Sequence, residues 1–136
     1  MSSGEIRCTN CRRGYPEQGI VHSCPVCGGI FDYSLPWEFD PGEVDDTQPG
    51  IWRYRSTFGL PDGLAPISLG EGNTPLIWAK AFKRKIAFKC EYLNPTGSFK
   101  DRGSTVITGW LQGRGVTEFV EDSSGNAGCA IAACSS

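Results

Sequence analysis

Residues 89–103 read Lys-Cys-Glu-Tyr-Leu-Asn-Pro-Thr-Gly-Ser-Phe-Lys-Asp-Arg-Gly, and the other motifs of the chain can be placed relative to this segment. A strand-like run, Ile86–Tyr92, leads into Asn-Pro-Thr-Gly, which turns the chain. A helix is expected from about Ser98, which places Lys100 in its first turn. The positive end of the helix dipole and a packed turn both disfavour a protonated amine there, and an amine is nucleophilic only without its proton. Lys100 is therefore predicted to be a Schiff-base lysine; the alternative is an ordinary solvated lysine.

The residues after Lys100 predict alternating helices and strands. A helix is expected over Ser98–Gln112, because it contains spaced apolar residues and glycines follow it. Asp101 lies three residues after Ser98, which is the spacing of a capping box. Val116–Glu121 then reads as a strand, and Cys129–Ser136 reads as a small-residue helix. This order predicts an α/β fold.

The turn between these last two elements is a second candidate site, Ser123-Ser124-Gly125-Asn126. A turn rich in serine and glycine at a helix start presents unpaired backbone N–H groups, hydroxyl donors and the positive end of a dipole. These groups suit a carboxylate or a phosphate. A capped helix with nothing bound has the same pattern, so the residues alone leave both interpretations open.

Two Cys-x-x-Cys pairs near the N-terminus predict a metal site. Cys8 and Cys11 are separated from Cys24 and Cys27 by 12 residues. Two such turns aim four thiolates at one point and close a tetrahedral zinc site, which is structural because no coordination position stays open. His22 is read as a surface or packing residue for the same reason. Two disulfides or a redox pair are the alternatives.

Composition excludes several classes of function. The 136 residues are 39% hydrophobic and 21% charged, which is typical of one modest globular domain. A net charge of −2 and a pI near 5.4 leave no electrostatic footprint for nucleic acid or a membrane surface. There is neither an apolar run of transmembrane length nor the apolar core of a secretion signal, so a cytoplasmic location is expected. The short basic cluster Lys80–Lys85 reads as a solvated turn, with a partner-binding patch as the alternative.

The chain divides into three predicted parts: a zinc ribbon over residues 1–30, a linker over 31–66 and a catalytic body over 67–136. The linker is acidic, proline-rich and dense in aromatic residues, which argues against a disordered tether and favours packing on the body. An aromatic binding platform is the alternative. In the body, Ile67–Leu69 and Leu76–Ile77 read as short strands on either side of a glycine turn.

Four segments resemble one enzyme family. Residues 94–103, Asn-Pro-Thr-Gly-Ser-Phe-Lys-Asp-Arg-Gly, resemble along their whole length the pyridoxal-phosphate lysine motif of fold-type II (tryptophan synthase beta-like) enzymes, in the form found in threonine synthases. Gly-Glu-Gly-Asn-Thr-Pro-Leu (70–76) and Ser-Ser-Gly-Asn-Ala-Gly (123–128) are similar to further motifs of this family, in the same order. The Cys-Pro-x-Cys-Gly form at 24–28 resembles an N-terminal ribbon that some threonine synthases carry.

The resemblance implies a set of roles. Lys100 would hold pyridoxal 5′-phosphate through a Schiff base and later move protons on the substrate. Asn126 would hydrogen-bond the ring oxygen of the cofactor. Together with Ser123, Ser124 and Gly125, Asn126 would bind the α-carboxylate of a small amino-acid substrate. Threonine synthases convert O-phosphohomoserine and water to threonine and phosphate. A homodimer is expected for the full-length enzyme.

Two observations leave other functions open. Threonine synthases more often have threonine where Ser124 stands, so a fold-type II lyase or β-replacement enzyme acting on serine, threonine, diaminopropionate or a sulfur amino acid is an alternative. The family's glycine-rich phosphate loop and its pyridine-nitrogen contact are not found in these residues. We therefore expect the N-terminal part of a longer enzyme, which alone binds the cofactor poorly and is inactive or slow. A non-catalytic zinc-ribbon module or remnant is the other alternative. The remaining cysteines, Cys90, Cys129 and Cys134, are expected in the core.

Overall fold

The computed structural model describes residues 6–34, 39–61 and 63–136. Trp37, one of the aromatic residues of the predicted linker, lies outside these ranges, as do the first five residues of the predicted ribbon. The described elements confirm the α/β class, with a small β module at the N-terminal end. In chain order they are β1 (Ile6–Cys8), β2 (Phe31–Tyr33), β3 (Leu76–Ala81), β4 (Arg84–Lys89), α1 (Lys100–Gly113) and α2 (Asn126–Ser135), with short 3-10 helices at Pro41–Glu43, Trp52–Thr57 and Glu91–Leu93.

The N-terminal module is a pair of antiparallel strands around the cysteines. Strands β1 and β2 pair with Ile6 opposite Tyr33 and Cys8 opposite Phe31. Between them the chain makes two cysteine turns and a loop over residues 15–21. We call residues 6–33 the ribbon, because the strand pair that closes this module extends past residue 30.

Strands β3 and β4 form an antiparallel hairpin whose register runs from Leu76–Lys89 to Ala81–Arg84. Its two turn residues, Phe82 and Lys83, have φ values of +51° and +60°. Positive φ at both central residues gives a tight hairpin turn whose backbone twist matches the right-handed twist of the flanking strands. The predicted strand at Leu76–Ile77 is confirmed and continues to Ala81. The strand predicted over 86–92 starts two residues earlier and ends at Lys89, where a 3-10 turn takes over.

Two predicted strands are wrong. Residues 67–69 form no strand, because the Glu71 carboxylate draws them into a turn by accepting the Leu69 N–H at 2.8 Å and the Ser68 hydroxyl at 3.1 Å. Val116–Glu121 also forms none. The N–H of Val116 closes the end of α1 by donating to the Leu111 carbonyl at 3.1 Å. The residues that follow have no ladder partner within the described part of the chain, and a strand requires one.

The two helices pack against each other, and each differs slightly from its prediction. Helix α1 begins at Lys100 rather than Ser98, because the Ser98 hydroxyl accepts the Lys100 N–H at 3.2 Å. The capping-box prediction is wrong in its partner, since the Asp101 carboxylate accepts the Thr96 N–H at 2.7 Å. Helix α2 begins at Asn126, three residues before its predicted start. None of the helices among the described residues is long and apolar enough to cross a membrane.

The interior between the helices is unusually polar. Glu71, Asp101 and Thr105 are fully buried, together with Ala130 of α2. Cys90 and Cys134 are buried as predicted, whereas the prediction for Cys129 is wrong because it lies on an exposed face of α2. Such a core contributes less hydrophobic stabilisation than an aliphatic one, and its polar groups must be satisfied by hydrogen bonds.

Residues 50–52 lie against the glycine turn of the body. Gly50 and Gly72 both have positive φ, +58° and +95°. A Cβ on Gly50 would lie 2.0 Å from the Glu71 carbonyl oxygen, and a Cβ on Gly72 would lie 2.8 Å from the Ile51 nitrogen. Only glycine allows the two backbones to approach so closely. Trp52, 3% exposed, is buried beside this contact.

Candidate active site and metal centre

The structure brings the four predicted metal ligands together. The Sγ atoms of Cys8, Cys11, Cys24 and Cys27 all lie within 4.8 Å of one another, with 3.5 Å between Cys8 and Cys27 and 3.6 Å between Cys11 and Cys24. A tetrahedral zinc ion with Zn–S bonds of about 2.3 Å separates its sulfurs by roughly 3.8 Å, whereas a disulfide requires about 2.05 Å. The arrangement fits a metal ion and does not fit disulfides. His22 is exposed and is not part of this cluster.

The two cysteine turns have the same backbone geometry. In the first turn the Arg12 N–H donates to the Cys8 carbonyl at 3.0 Å, and in the second the Gly28 N–H donates to the Cys24 carbonyl at 2.8 Å. Arg12 and Gly28, each four residues after the first cysteine of its pair, have φ values of +61° and +71°. The ribbon therefore contains a local repeat that aims each pair of sulfurs at the same point.

Electrostatics also favours a cation between these thiols. The Val26 N–H is the main group that lowers the pKa of Cys24, to about 6. For Cys27, the Gly29 N–H also lowers the pKa, but the neighbouring thiols, Cys8 first among them, outweigh it and raise the value to about 12. Backbone donors thus stabilise thiolate charge on Cys24, while the neighbouring thiols oppose the ionisation of Cys27. A divalent cation removes that opposition, because it favours every thiolate at once.

Lys100 is the first residue of α1 and is exposed. Its Nζ lies 4.7 Å from the centroid of the Phe99 ring, which is itself 57% exposed. The lysine amine is thus accessible, while the backbone on either side of it is held in place. An accessible amine at a helix start is the group that an aldehyde cofactor requires.

Two side chains next to Lys100 hold the loop that precedes it. Asp101 accepts hydrogen bonds from both the N–H and the hydroxyl of Thr96. Arg102 binds both oxygens of Glu91, with 2.7 Å from Nε to Oε2 and 2.8 Å from Nη2 to Oε1. The Thr74 hydroxyl donates to the same carboxylate at 2.8 Å. This network joins the glycine turn, the loop and the lysine helix.

Sequence reasoning missed Glu91 and Arg102 as site residues. Asn94 extends their network, because its Nδ2 donates to Glu91 at 3.1 Å and its Oδ1 accepts the Gly72 N–H at 3.0 Å. The available signal was an acidic and a basic residue on either side of the Asn-Pro-Thr-Gly turn. Opposite charges flanking a turn that reverses the chain are brought face to face, where a bidentate arginine–carboxylate pair can form.

The Glu91–Arg102 pair makes stability depend on pH. Hydrogen bonding from Arg102, aided by Thr74 and Asn94, lowers the pKa of Glu91 from 4.5 to about 2. The carboxylate is 27% exposed, so solvent screening limits the contribution of this pair to about 1 kcal/mol. A lowered carboxyl pKa stabilises the fold above the unfolded-state pKa, and the contribution is lost as the pH falls from about 4.5 to about 2.

Glu91→Gln is expected to lower the free energy of unfolding by about 1 kcal/mol at pH 7. The difference from the wild type should shrink as the pH falls below about 4.5 and be small at pH 2, because protonation progressively removes the same charge from the wild-type protein. Urea unfolding at several pH values measures both effects, with Glu118→Gln, an exposed carboxylate outside the network, as the control. A difference that stays constant from pH 7 to pH 2 would show that the ion pair is not its source.

The second candidate site lies at the start of α2. Ser123, Ser124 and Gly125 precede the helix, Asn126 is its first residue, and all four are exposed. The N-cap residue, Gly125, has no side chain to cap the helix, so no cap side chain satisfies its first-turn N–H groups. Within the turn, the Gly125 N–H donates to the Ser123 hydroxyl at 3.2 Å. The loop therefore offers the donors that a carboxylate needs.

Glu121 is a further residue that sequence reasoning missed. Its Oε2 accepts the Ser123 N–H at 2.8 Å and lies 3.2 Å from the position that a Cβ on Gly128 would take. A carboxylate of the chain itself thus already occupies one donor of the loop. The signal was an acidic residue two positions before the serine, close enough for its carboxylate to accept the serine N–H.

The two candidate sites lie at the starts of α1 and α2, two helices that pack against each other. Burial is the main cause that raises the pKa of Cys134 to about 11, and the carboxylates of Glu71 and Asp101 add to it. Within the described residues, no hydrogen bond or ion pair joins Lys100 to the 123–126 loop.

Comparison with known proteins identifies the family of the C-terminal half of the chain. Residues 67–136 match the family model described as pyridoxal-phosphate dependent enzyme, and the chain belongs to that family. The matched region contains Lys100, the Glu91–Arg102 network and the loop at the start of α2. No solved structure matches the chain at a significant level.

Several curated relatives are threonine synthases. The chain is 34% identical to the threonine synthase of Methanosarcina acetivorans over 137 aligned residues. The aligned region covers 93% of this chain and 33% of that protein. It is 32% identical over 139 residues to that of Methanocaldococcus jannaschii, covering 95% of this chain and 34% of that protein. With the threonine synthase of Mycobacterium leprae it shares 41% identity over 90 residues, 62% of this chain and 25% of that protein. The chain spans about a third of the length of the first two relatives.

Proposed function

We propose that this chain carries the lysine and carboxylate-binding elements of a pyridoxal-phosphate-dependent threonine synthase-like enzyme. One observation supports the proposal most strongly: Lys100 begins α1 with an accessible amine, and the two residues that follow it are anchored to Thr96 and Glu91. In this proposal residues 67–136 belong to the catalytic body, the ribbon of residues 6–33 holds the zinc, and the segment between them links the two.

Lys100 and residues 123–126 would have separate roles in the reaction. Pyridoxal phosphate, when bound, supplies an electron sink for chemistry at the α carbon of an amino acid. Lys100 Nζ would hold the cofactor aldehyde and then take the α proton of the substrate. The N–H and hydroxyl groups of Ser123, Ser124, Gly125 and Asn126 would orient the substrate carboxylate, with Asn126 also donating to the cofactor ring oxygen.

The proposed substrate follows from the relatives and their chemistry. For a threonine synthase the overall change is loss of phosphate from the γ carbon of O-phosphohomoserine and addition of water at the β carbon. The Glu121 carboxylate at the loop would have to move away from the Ser123 N–H for a substrate carboxylate to bind there. The Glu91–Arg102 pair would keep the Lys100 backbone in place during proton transfer.

The experiment that tests the lysine assignment is borohydride trapping. The 136-residue chain is incubated with excess pyridoxal phosphate and reduced, and the adduct is mapped by peptide mass spectrometry. We expect the pyridoxyl-phosphate group chiefly on Lys100. The exposed hairpin lysines, Lys80, Lys83 and Lys85, serve as internal controls for nonspecific reaction. Equal labelling of all these lysines would contradict the assignment.

For the metal, we propose one structural zinc ion held by Cys8, Cys11, Cys24 and Cys27. Protein purified without chelator is expected to contain one zinc per chain, and Cys24→Ser is expected to reduce this to near zero, because three thiolates hold the ion far less tightly. Elemental analysis measures the content. Cys129→Ser, an exposed cysteine outside the cluster, should retain the full content. A wild-type content far below one would contradict the site.

A further inference from the structure

Arg114, which directly follows α1, connects this helix to the ribbon. Its Nε donates to the Gly19 carbonyl at 2.9 Å, and its Nη2 donates to the Pro16 carbonyl. In return, the Gly19 N–H donates to the Arg114 carbonyl at 3.4 Å. Both backbone and side chain of this one residue thus bind the ribbon loop at residues 15–21.

Two aromatic rings complete the contact. The Arg114 guanidinium carbon lies 4.9 Å from the centroid of the Tyr15 ring and 4.7 Å from that of the Trp110 ring. Tyr15 belongs to the ribbon and Trp110 to α1, and their ring centroids are 6.0 Å apart. A guanidinium that lies against two aromatic rings is attracted to their π faces, in addition to its directional hydrogen bonds with the loop. The contact is therefore directional as well as attractive.

The ribbon loop that Arg114 grips is tied to the metal ligands. It runs between the two cysteine pairs. The Tyr15 N–H donates at 2.9 Å to the carbonyl of Ile6, a residue that lies two positions before the metal ligand Cys8. The Tyr15 hydroxyl also exchanges hydrogen bonds with the backbone of Val21 at 3.1 and 3.0 Å, which closes the loop. A metal ion orders the turns that carry its ligands in a small module. It therefore also orders the loop at residues 15–21, because this loop connects the two turns.

We propose that Arg114 is a positioning residue that couples metal binding in the ribbon to the order of the C-terminal turn of α1. The inference rests on the zinc site proposed above. Zinc orders the loop, the ordered loop binds Arg114, and Arg114 holds the end of the helix that begins with Lys100. Coupling of this kind is reciprocal, so the intact helix contact must strengthen zinc binding by the same factor.

The first test is the zinc affinity of variants far from the ligands in sequence. Competition with a chromophoric chelator gives the dissociation constant of the wild type, Arg114→Ala, Arg114→Lys and the control Arg84→Ala, an exposed arginine on β4. Arg114→Ala is expected to weaken zinc binding about tenfold, within the usual range of coupling between sites. The zinc affinity of Arg114→Lys should lie between those of the wild type and Arg114→Ala, because lysine keeps the positive charge but lacks the planar guanidinium. Arg84→Ala should match the wild type.

The outcomes separate this inference from the metal proposal. A wild-type protein that binds no zinc would overturn the metal site itself. Wild-type zinc binding with an unchanged affinity in Arg114→Ala would overturn the coupling alone. Far-ultraviolet circular dichroism checks that each variant is folded, and if the alanine variant is not, the comparison is made with Arg114→Lys.

Hydrogen exchange provides the second test. The amides of Arg114, Gly115 and Val116 bond to carbonyls in the last turn of α1. Removing zinc from the wild type should speed their exchange severalfold, and in Arg114→Ala they should exchange rapidly with or without zinc. Equal protection in the zinc-loaded and zinc-free wild type would overturn the coupling.

Discussion

Lys100→Ala is expected to lose all the trapped pyridoxyl-phosphate that maps to residue 100 and most of the adduct on the chain. The methyl group of alanine cannot form a Schiff base, and the nearby cations Lys89 and Arg102 are committed to the Thr74 carbonyl and to the Glu91 carboxylate. Borohydride reduction followed by intact-mass and peptide-mass measurement quantifies the loss. In a longer protein containing these residues, the cofactor's visible absorbance should disappear with the same substitution.

The control for this experiment is Lys85→Ala, which removes an exposed lysine 4.8 Å from the Trp78 ring. That variant should keep the adduct on Lys100. Neither substitution should change the free energy of unfolding by more than about 0.5 kcal/mol, since both side chains are at the surface. If Lys100→Ala retained the wild-type amount of adduct, another amine would be the cofactor ligand and the lysine assignment would be wrong.

Gly50→Ala is expected to have the largest effect on stability, a loss of about 3 kcal/mol or more. The new Cβ would lie 2.0 Å from the Glu71 carbonyl oxygen, and that oxygen belongs to backbone, which cannot swing aside as a flexible side chain can. The residue would also hold φ at +58°, which alone costs an alanine about 1 kcal/mol. Urea unfolding followed by tryptophan fluorescence measures the loss, because Trp52 is buried beside this contact.

Gly63→Ala separates the two causes. Gly63 has a similar φ of +75°, but a Cβ there would meet no atom within 4 Å. It should therefore lose only about 1 kcal/mol, the cost of the backbone conformation. Equal losses for the two variants would mean that the close approach of residues 50 and 71 contributes nothing.

The sequence predicted the parts of the site that depend on short segments. Two Cys-x-x-Cys pairs predict the thiol cluster, because each turn alone directs two sulfurs and its hydrogen bonds join residues four apart. The position of Lys100 at a helix start was predicted to within two residues for a similar reason, since Asn-Pro-Thr-Gly must turn the chain and the apolar residues after it suit a helix. The exposed loop at residues 123–126 follows from its serine and glycine content.

What the sequence could not predict depends on residues far apart in the chain. Val116–Glu121 has the composition of a strand, yet a strand exists only with a hydrogen-bonding partner, and the described residues offer none. The Glu91–Arg102 pair required knowing how the turn between them folds. The need for glycine at residue 50 became visible only when Glu71 was placed against it.

By itself, then, the sequence determined the local parts of the proposed sites: four cysteines that form one thiol cluster, a lysine at the start of a helix, and an exposed serine- and glycine-rich loop at the start of the next helix. Tertiary structure alone decided how these parts are connected, through the close approach of Gly50 to Glu71, the ion pair of Glu91 with Arg102, and the grip of Arg114 on the ribbon loop. The physical reason is the separation along the chain between the residues that interact. Ligand spacing, turns and helix starts are set by atoms a few residues apart, whereas packing and ion pairing depend on the path of the whole backbone.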